Sequence, residues 1–283
     1  MDPETKKRLA VFLLLTTAFS AVFYVLIGRA GSMEAGGGLY VAGLMWCPGM
    51  AALLTQFLTR RTLRGLGWRW GRTRYQLLSL AVPAGVVAIT YGLIWLTGLG
   101  TIPNPAFVET ISSQLGFPVS TAGAVAIYAA ISGAFGFITT LPAALGEEIG
   151  WRGFLVPELS KVFGFSGTAL VSGLIWAVWH YPVMIFADYG SGVPLWYGMI
   201  CFTGMAVGLS AVMAWIRLRS GSVWTAAFAH AAHNILVQTI FTPLTADAGP
   251  TAYWIDEFGA GLAIAYAVAG FVFWRLRGRL SSV

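Results

Sequence analysis

Two adjacent carboxylates, Glu147 and Glu148, follow an apolar run, Ala122 to Leu145, that carries no charge. Arg152 stands four residues beyond Glu148, so one helix would pair them at i,i+4. The chain has three histidines, His180, His230 and His233, and each falls inside a long apolar stretch. Asn234 follows His230 by four residues and shares its helical face. Carboxylates, imidazoles and a carboxamide gathered in a low-dielectric cavity can activate water for hydrolysis, because burial tunes their proton affinities towards neutrality. A divalent metal, zinc first among them, is the other route to hydroxide at neutral pH. It would take His180, His230 and one glutamate as its three protein ligands. The spacing His-Glu-x-x-His of soluble zinc peptidases is absent, so spacing alone does not establish a metal. The plainer reading of the glutamate segment is a polar helix end at a membrane surface.

The elements that must position these residues are membrane spans. Only 10% of the 283 residues are charged and the mean hydropathy is +0.75, far from the roughly 25% charge of soluble domains. The apolar runs fall at about 10–28, 39–58, 75–98, 122–145, 166–187, 195–216, 222–243 and 258–274. Each approaches the roughly 20 residues that cross a bilayer core. The expected fold is an all-α bundle of about eight transmembrane helices. It forms one integral-membrane domain over 1–283, with the chemistry in 122–245. The first run, behind Lys6, Lys7 and Arg8, is longer than the apolar core of a cleavable signal and reads as a retained span.

Net charge is +6, but its placement argues against nucleic acid as a partner. Sixteen of the seventeen basic residues sit before the first span or after the second, fourth, sixth and eighth, and only Arg29 falls on the other side. By the positive-inside rule both termini are cytoplasmic. Glu34, Glu109, Asp188, Asp247, Asp256 and Glu257 fall on the opposite face. The basic interval Arg60–Arg74, with Trp68 and Trp70, reads as a loop on anionic headgroups, making membrane lipid a partner. Ala106–Leu115 reads as a short interfacial helix. Cys47 and Cys201 lie in separate spans and read as small hydrophobes. There is no Walker loop, and no internal duplication of the transporter kind is visible.

Depth decides whether the polar residues can meet. His230 lies about eight residues, or ~12 Å, into its span. A fourth helix ending at Leu145 would leave Glu147 at the surface. Nothing before Pro157 forces a stop, however, and a helix carried to Val156 buries Glu147 by ~14 Å. Three histidines placed inside spans and none in a loop point the same way, since ionisable groups there are expensive and mark function. Pro182 should loosen the fifth span just beyond His180.

Three segments, in order and on separate spans, resemble the CPBP family of intramembrane proteases, the CAAX prenyl endopeptidases and bacteriocin-processing proteins. They are Glu147-Glu148-Ile149-Gly150-Trp151-Arg152, Trp176-Ala177-Val178-Trp179-His180 and His230-Ala231-Ala232-His233-Asn234. Trp176 stands where the family commonly has Phe. The resemblance covers about 120–245. It implies an endopeptidase whose site lies within the membrane and opens towards the cytoplasm; separately, the compactness of the chain and the lack of an organelle address suit a prokaryotic inner membrane. Glu147 would be the base that activates water, His180 and His230 would bind a metal or polarise water and carbonyl, and Asn234 would stabilise the oxyanion. Glu148 and Arg152 would brace the site, with His233 behind it. The partner implied is a peptide or protein substrate, prenylated in some members. Two other classes use the same residues: a non-catalytic immunity or binding member of the family, and a proton- or metal-coupled transporter.

Overall fold

The computed structural model describes residues 2–190 and 192–280. Within them the chain is helical throughout, with no strand and one isolated bridge, between Thr101 and Ala246. The helices are α1 (Pro3–Ala30), α2 (Leu39–Arg60), α3 (Thr73–Leu96), α4 (Pro105–Leu115), α5 (Thr121–Glu148), α6 (Val156–Ser160), α7 (Phe165–Phe186), α8 (Leu195–Ser220), α9 (Val223–Asn234), α10 (Thr242–Leu244) and α11 (Ala260–Arg275). π-helical segments, Ile149–Leu155 and Ile235–Phe241, join α5 to α6 and α9 to α10, so each of those runs is one continuous rod.

Among the described residues, seven helices are long and apolar enough to cross a membrane. The eighth expected span, the rod from Val223 to Leu244, is long enough. It is not among the seven because His230, His233, Asn234 and Gln238 dilute its apolar character. The span with the weakest hydropathy is therefore the one that carries the most polar chemistry.

Helix ends follow local chemistry. Asp2 caps α1 by accepting from the Thr5 amide at 2.9 Å, with Pro3 in the first turn. Ser120 caps α5 through the Gly123 amide at 3.2 Å. The short helix expected near 106–115 is α4. Pro157 does not end the glutamate helix, which continues to Ser160. The proline sits in the first turn of α6, where the hydrogen-bond register returns from the π segment, so its missing N–H is tolerated there. Nor does Pro182 break α7, which runs unbroken to Phe186.

α5 is peripheral for most of its length, with only 6% of its apolar 18-residue stretch buried, and Phe135 and Ile138 point outward. From Gly146 to Val156 every residue is buried. Close approach of α2 causes this change. A Cβ on Gly49 would lie 2.4 Å from the Gly146 carbonyl oxygen, and one on Gly150 would lie 2.4 Å from Pro48 Cβ. Only hydrogen fits at both places, as expected where membrane helices pack through small residues.

The two ends of the bundle differ. One carries Lys6 to Arg8, Arg60 to Arg74, Lys161, Arg217, Arg219 and Arg275 to Arg279. Arg8, buried there, ties α1 to α2 through Gln56 at 2.7 Å and to α6 through Glu158 at 2.9 Å. At the other end the connections 31–38, 97–104, 187–190 with 192–194, and 245–259 meet. The Met33 amide donates to Asp188 at 2.6 Å, and the Thr251 hydroxyl donates to the Leu99 carbonyl at 2.7 Å.

Candidate active site

The three polar segments converge on one cavity of about 670 Å³. Glu147, His180, His230, His233 and Asn234 all line it, among apolar walls that include Val41, Leu44, Met45, Val183, Phe202 and Met205. Glu148 and Arg152 stand behind this wall and are fully buried.

Glu147 is 1% exposed. Its Oε2 accepts two indole N–H groups, from Trp176 at 2.8 Å and from Trp151, one turn ahead, at 3.2 Å. Oε1 takes no protein donor among the described residues, which leaves one carboxylate oxygen free at the cavity. The carboxylate is thereby held in one rotamer without a salt bridge to quench it.

Glu148 is used differently. Its Oε1 accepts from Arg152 Nη1 at 2.7 Å and from His230 Nδ1 at 3.0 Å. The Arg152 guanidinium also lies 4.4 Å from the centre of the Trp176 ring, so a single cation braces the carboxylate and the indole that holds Glu147. The i,i+4 pair expected from spacing is present, but in the core and not at a surface.

The tautomers follow from these partners. A carbonyl oxygen can only accept, so His180 Nδ1, 2.8 Å from the Trp176 carbonyl, donates to it. His230 Nδ1 likewise donates to Glu148. In the neutral rings each Nε2 then carries a lone pair available to the cavity. That is also the tautomer of metal-binding imidazoles. Among the described residues, however, no three His, Cys, Asp or Glu side chains are gathered closely enough to hold a metal ion. The donors as arranged do not make a catalytic zinc site.

His233, placed behind the site by sequence, faces a second polar cluster. Its Nε2 donates to Glu257 at 3.1 Å and its Nδ1 meets the Tyr266 hydroxyl at 2.9 Å. Glu257 also accepts from Tyr189 at 2.6 Å and Gln238 at 3.0 Å. Burial works to raise the pKa of Glu257, but the hydrogen bonds from His233, Tyr189 and Gln238 hold it at about 2.

Sequence reasoning did not single out Trp151, Tyr189, Gln238, Glu257 or Tyr266. Trp151 was legible as the residue one turn after Glu147. Glu257 was legible as an acid at the very start of an apolar span, but its meeting with His233 requires the fold.

Both π segments abut the chemistry, one directly after Glu148 and the other directly after Asn234. Such segments widen a helix by one residue and recur at functional sites. Here they re-aim the flanking side chains while the backbone stays hydrogen-bonded.

Comparison with known proteins finds a match over the same part of the chain. Residues 129–236 match the family described as type II CAAX prenyl endopeptidase Rce1-like. That window contains Glu147, Glu148, Arg152, His180, His230, His233 and Asn234, and ends before Glu257 and Tyr266. The chain is 27% identical over 149 residues to CAAX prenyl protease 2 of Methanococcus maripaludis. The alignment covers 51% of this chain and 51% of that protein, so the match spans about half the length of the relative. Through the segment that gathers these polar residues, the chain is similar to the Rce1-like CAAX prenyl endopeptidase family.

Proposed function

We propose that this protein is an intramembrane endopeptidase in which Glu147 activates the attacking water. The observation that carries the reading is the convergence of Glu147, His180, His230 and Asn234 on one cavity, with Glu147 Oε1 left without a protein partner. A water between Glu147 Oε1 and an imidazole Nε2 gives one proton to the carboxylate as its oxygen attacks the peptide carbonyl. Asn234 donates to the resulting oxyanion. The protonated Glu147 then passes that proton to the departing amine as the C–N bond breaks. His180 and His230 keep their lone pairs aimed through the Trp176 carbonyl and Glu148. No step is routed through a metal.

The substrate class follows from the walls and the family. The relative's name includes prenyl protease, and the apolar lining suits a lipophilic or prenylated peptide. We place the protein in a cell membrane, the inner membrane of a prokaryote, with its arginine-rich ends in the cytoplasm. A transport reading has less support. Beneath the cavity, towards the arginine-rich end, Trp151, Phe154 and Phe12 are fully packed, and the Glu148–Arg152 pair closes the route.

The test uses purified wild-type and Glu147→Gln protein with prenylated and unmodified peptide libraries read by mass spectrometry. Cleavage by the wild type that is lost in Glu147→Gln supports the reading. Wild-type-like turnover by Glu147→Gln rejects the base. Peptide recovered intact from the wild type across the libraries, with peptide co-purifying, favours a binding protein.

A further inference from the structure

Three arginines are buried among the described residues, and two of them are paired with carboxylates. Arg8 meets Glu158 at 2.9 Å, and Arg152 meets Glu148 at 2.7 Å. Arg217, in the last turn of α8, is 7% exposed and has no carboxylate or other hydrogen-bond acceptor among the described residues. Its Nε is wholly enclosed without a partner, while Nη1 and Nη2 are not fully enclosed. Sequence accounts for the missing acid: no Asp or Glu occurs between Glu34 and Glu109, or between Asp188 and Asp247. The loop and the helix that meet at Arg217 both come from these stretches. A buried charge without compensation is strongly unfavourable, so this guanidinium calls for an anion from outside the chain. The plainer role, a cation complementing a helix C-terminus, is filled equally well by Arg219, which is exposed.

The surroundings specify the anion. Gly67, with φ at +88°, lies against the guanidinium, and a Cβ there would stand 2.8 Å from Nη2. Leu66, fully buried, pins the loop at this point. The loop carbonyls are engaged elsewhere: Gly67 accepts from the Val223 amide at 2.8 Å, Trp68 from the Trp224 indole at 3.0 Å, and Trp70 from Gln76 at 2.6 Å. Arg64, Arg69 and Arg72 stand exposed on the same loop, so the local field favours a ligand with net negative charge. Trp68 and Trp70, also exposed, mark the level of the lipid headgroups. Phosphate oxygens match the parallel N–H groups of a guanidinium. We propose that Arg217, with Gly67 against it, binds the phosphate of one anionic phospholipid. This is more than a basic loop resting on charged headgroups, because one buried side chain dominates the binding. It is independent of the endopeptidase reading.

The test uses delipidated wild type, Arg217→Met and Arg69→Gln in a non-ionic detergent and a phosphate-free buffer. Each is titrated with phosphatidylglycerol, with diacylglycerol and with inorganic phosphate, and read by native mass spectrometry and thermal unfolding. The wild type should take up one saturable phosphatidylglycerol. Arg217→Met should bind it roughly tenfold more weakly or worse, the loss expected for hydrogen bonds to a charged group. Arg69→Gln, a change at an exposed charge, should stay within about twofold. Diacylglycerol should not compete. Without lipid, Arg217→Met should melt at or above the wild-type midpoint, since the charge it removes has no partner. Lipid should then raise the wild type and leave the variant unmoved. An Arg217→Met protein that melts well below lipid-free wild type, or does not fold, makes Arg217 a structural brace and overturns the inference. Equal lipid binding by Arg217→Met and wild type overturns it too, as does an equal loss in Arg69→Gln, which would mean diffuse attraction only. Inorganic phosphate that stabilises the wild type as well as phosphatidylglycerol does would overturn the lipid as its source.

Discussion

Arg152→Met is the most informative perturbation, because the site depends on a charge balance at zero exposure. Arg152 and Glu148 are both 0% exposed and 2.7 Å apart. Removing the guanidinium leaves Glu148 with only His230 as a partner, in a place water does not reach. Breaking one half of a buried pair typically costs about 3–5 kcal/mol, because the remaining charge is uncompensated. That is a large fraction of the 5–15 kcal/mol that holds a typical fold together. For a chain of this size it corresponds to a fall in unfolding midpoint on the order of 10 °C. The second variant, Arg152→Met with Glu148→Gln, removes both charges while the Gln carbonyl still accepts from His230 Nδ1. It should recover more than half of the lost stability, because replacing both partners of a buried pair is close to neutral. The assay is thermal unfolding in detergent followed by tryptophan fluorescence, with single and double variants combined in a cycle. An Arg152→Met protein that melts within a degree or two of wild type would show that the pair is not the brace described above. A double variant no better than the single would show that Arg152 acts through Trp176 and not through Glu148.

Other outcomes follow from the same geometry. Glu147→Gln, His180→Ala and His230→Ala should each abolish peptide cleavage while giving wild-type elution in detergent, and Glu148→Gln should cost less activity than Glu147→Gln. Gly49→Ala and Gly150→Ala each place a Cβ 2.4 Å from an occupied atom, and overpacking of this kind costs about 1–3 kcal/mol in melting experiments. Glu257, in the connection before α11, has its folded pKa lowered from 4.5 to about 2. Its stabilisation, on the order of 3 kcal/mol, is therefore complete above about pH 4.5 and is lost as pH falls towards 2. Glu257→Gln should flatten that limb of the stability profile and lower the midpoint at pH 7. Elemental analysis of active protein should find metal well below one equivalent, with activity surviving a chelator; stoichiometric zinc whose removal abolishes cleavage would reverse the metal-free assignment.

The amino-acid sequence by itself determined the solvent of this protein. Long apolar runs with ionisable groups set between them can satisfy their backbone only as spanning helices, and the distribution of Lys and Arg assigns their ends. It also placed Glu147, His180, His230 and Asn234 on three rods at depths that permit a meeting, since helical rise converts sequence position to distance. Three things waited for the tertiary structure, because each depends on contacts between residues far apart in the chain. The roles of the paired glutamates separate only when Trp176 and Trp151 take Glu147 while Arg152 and His230 take Glu148. His233 gains its partners only when the connection carrying Glu257 folds back over α9. The lining of the cavity is a property of packing: Gly49 and Gly150 let α2 lie against the glutamate helix, and residues of the segment Met33–Gly38 join the wall. Hydropathy and charge report on each helix separately, and none of these contacts is written in a single helix.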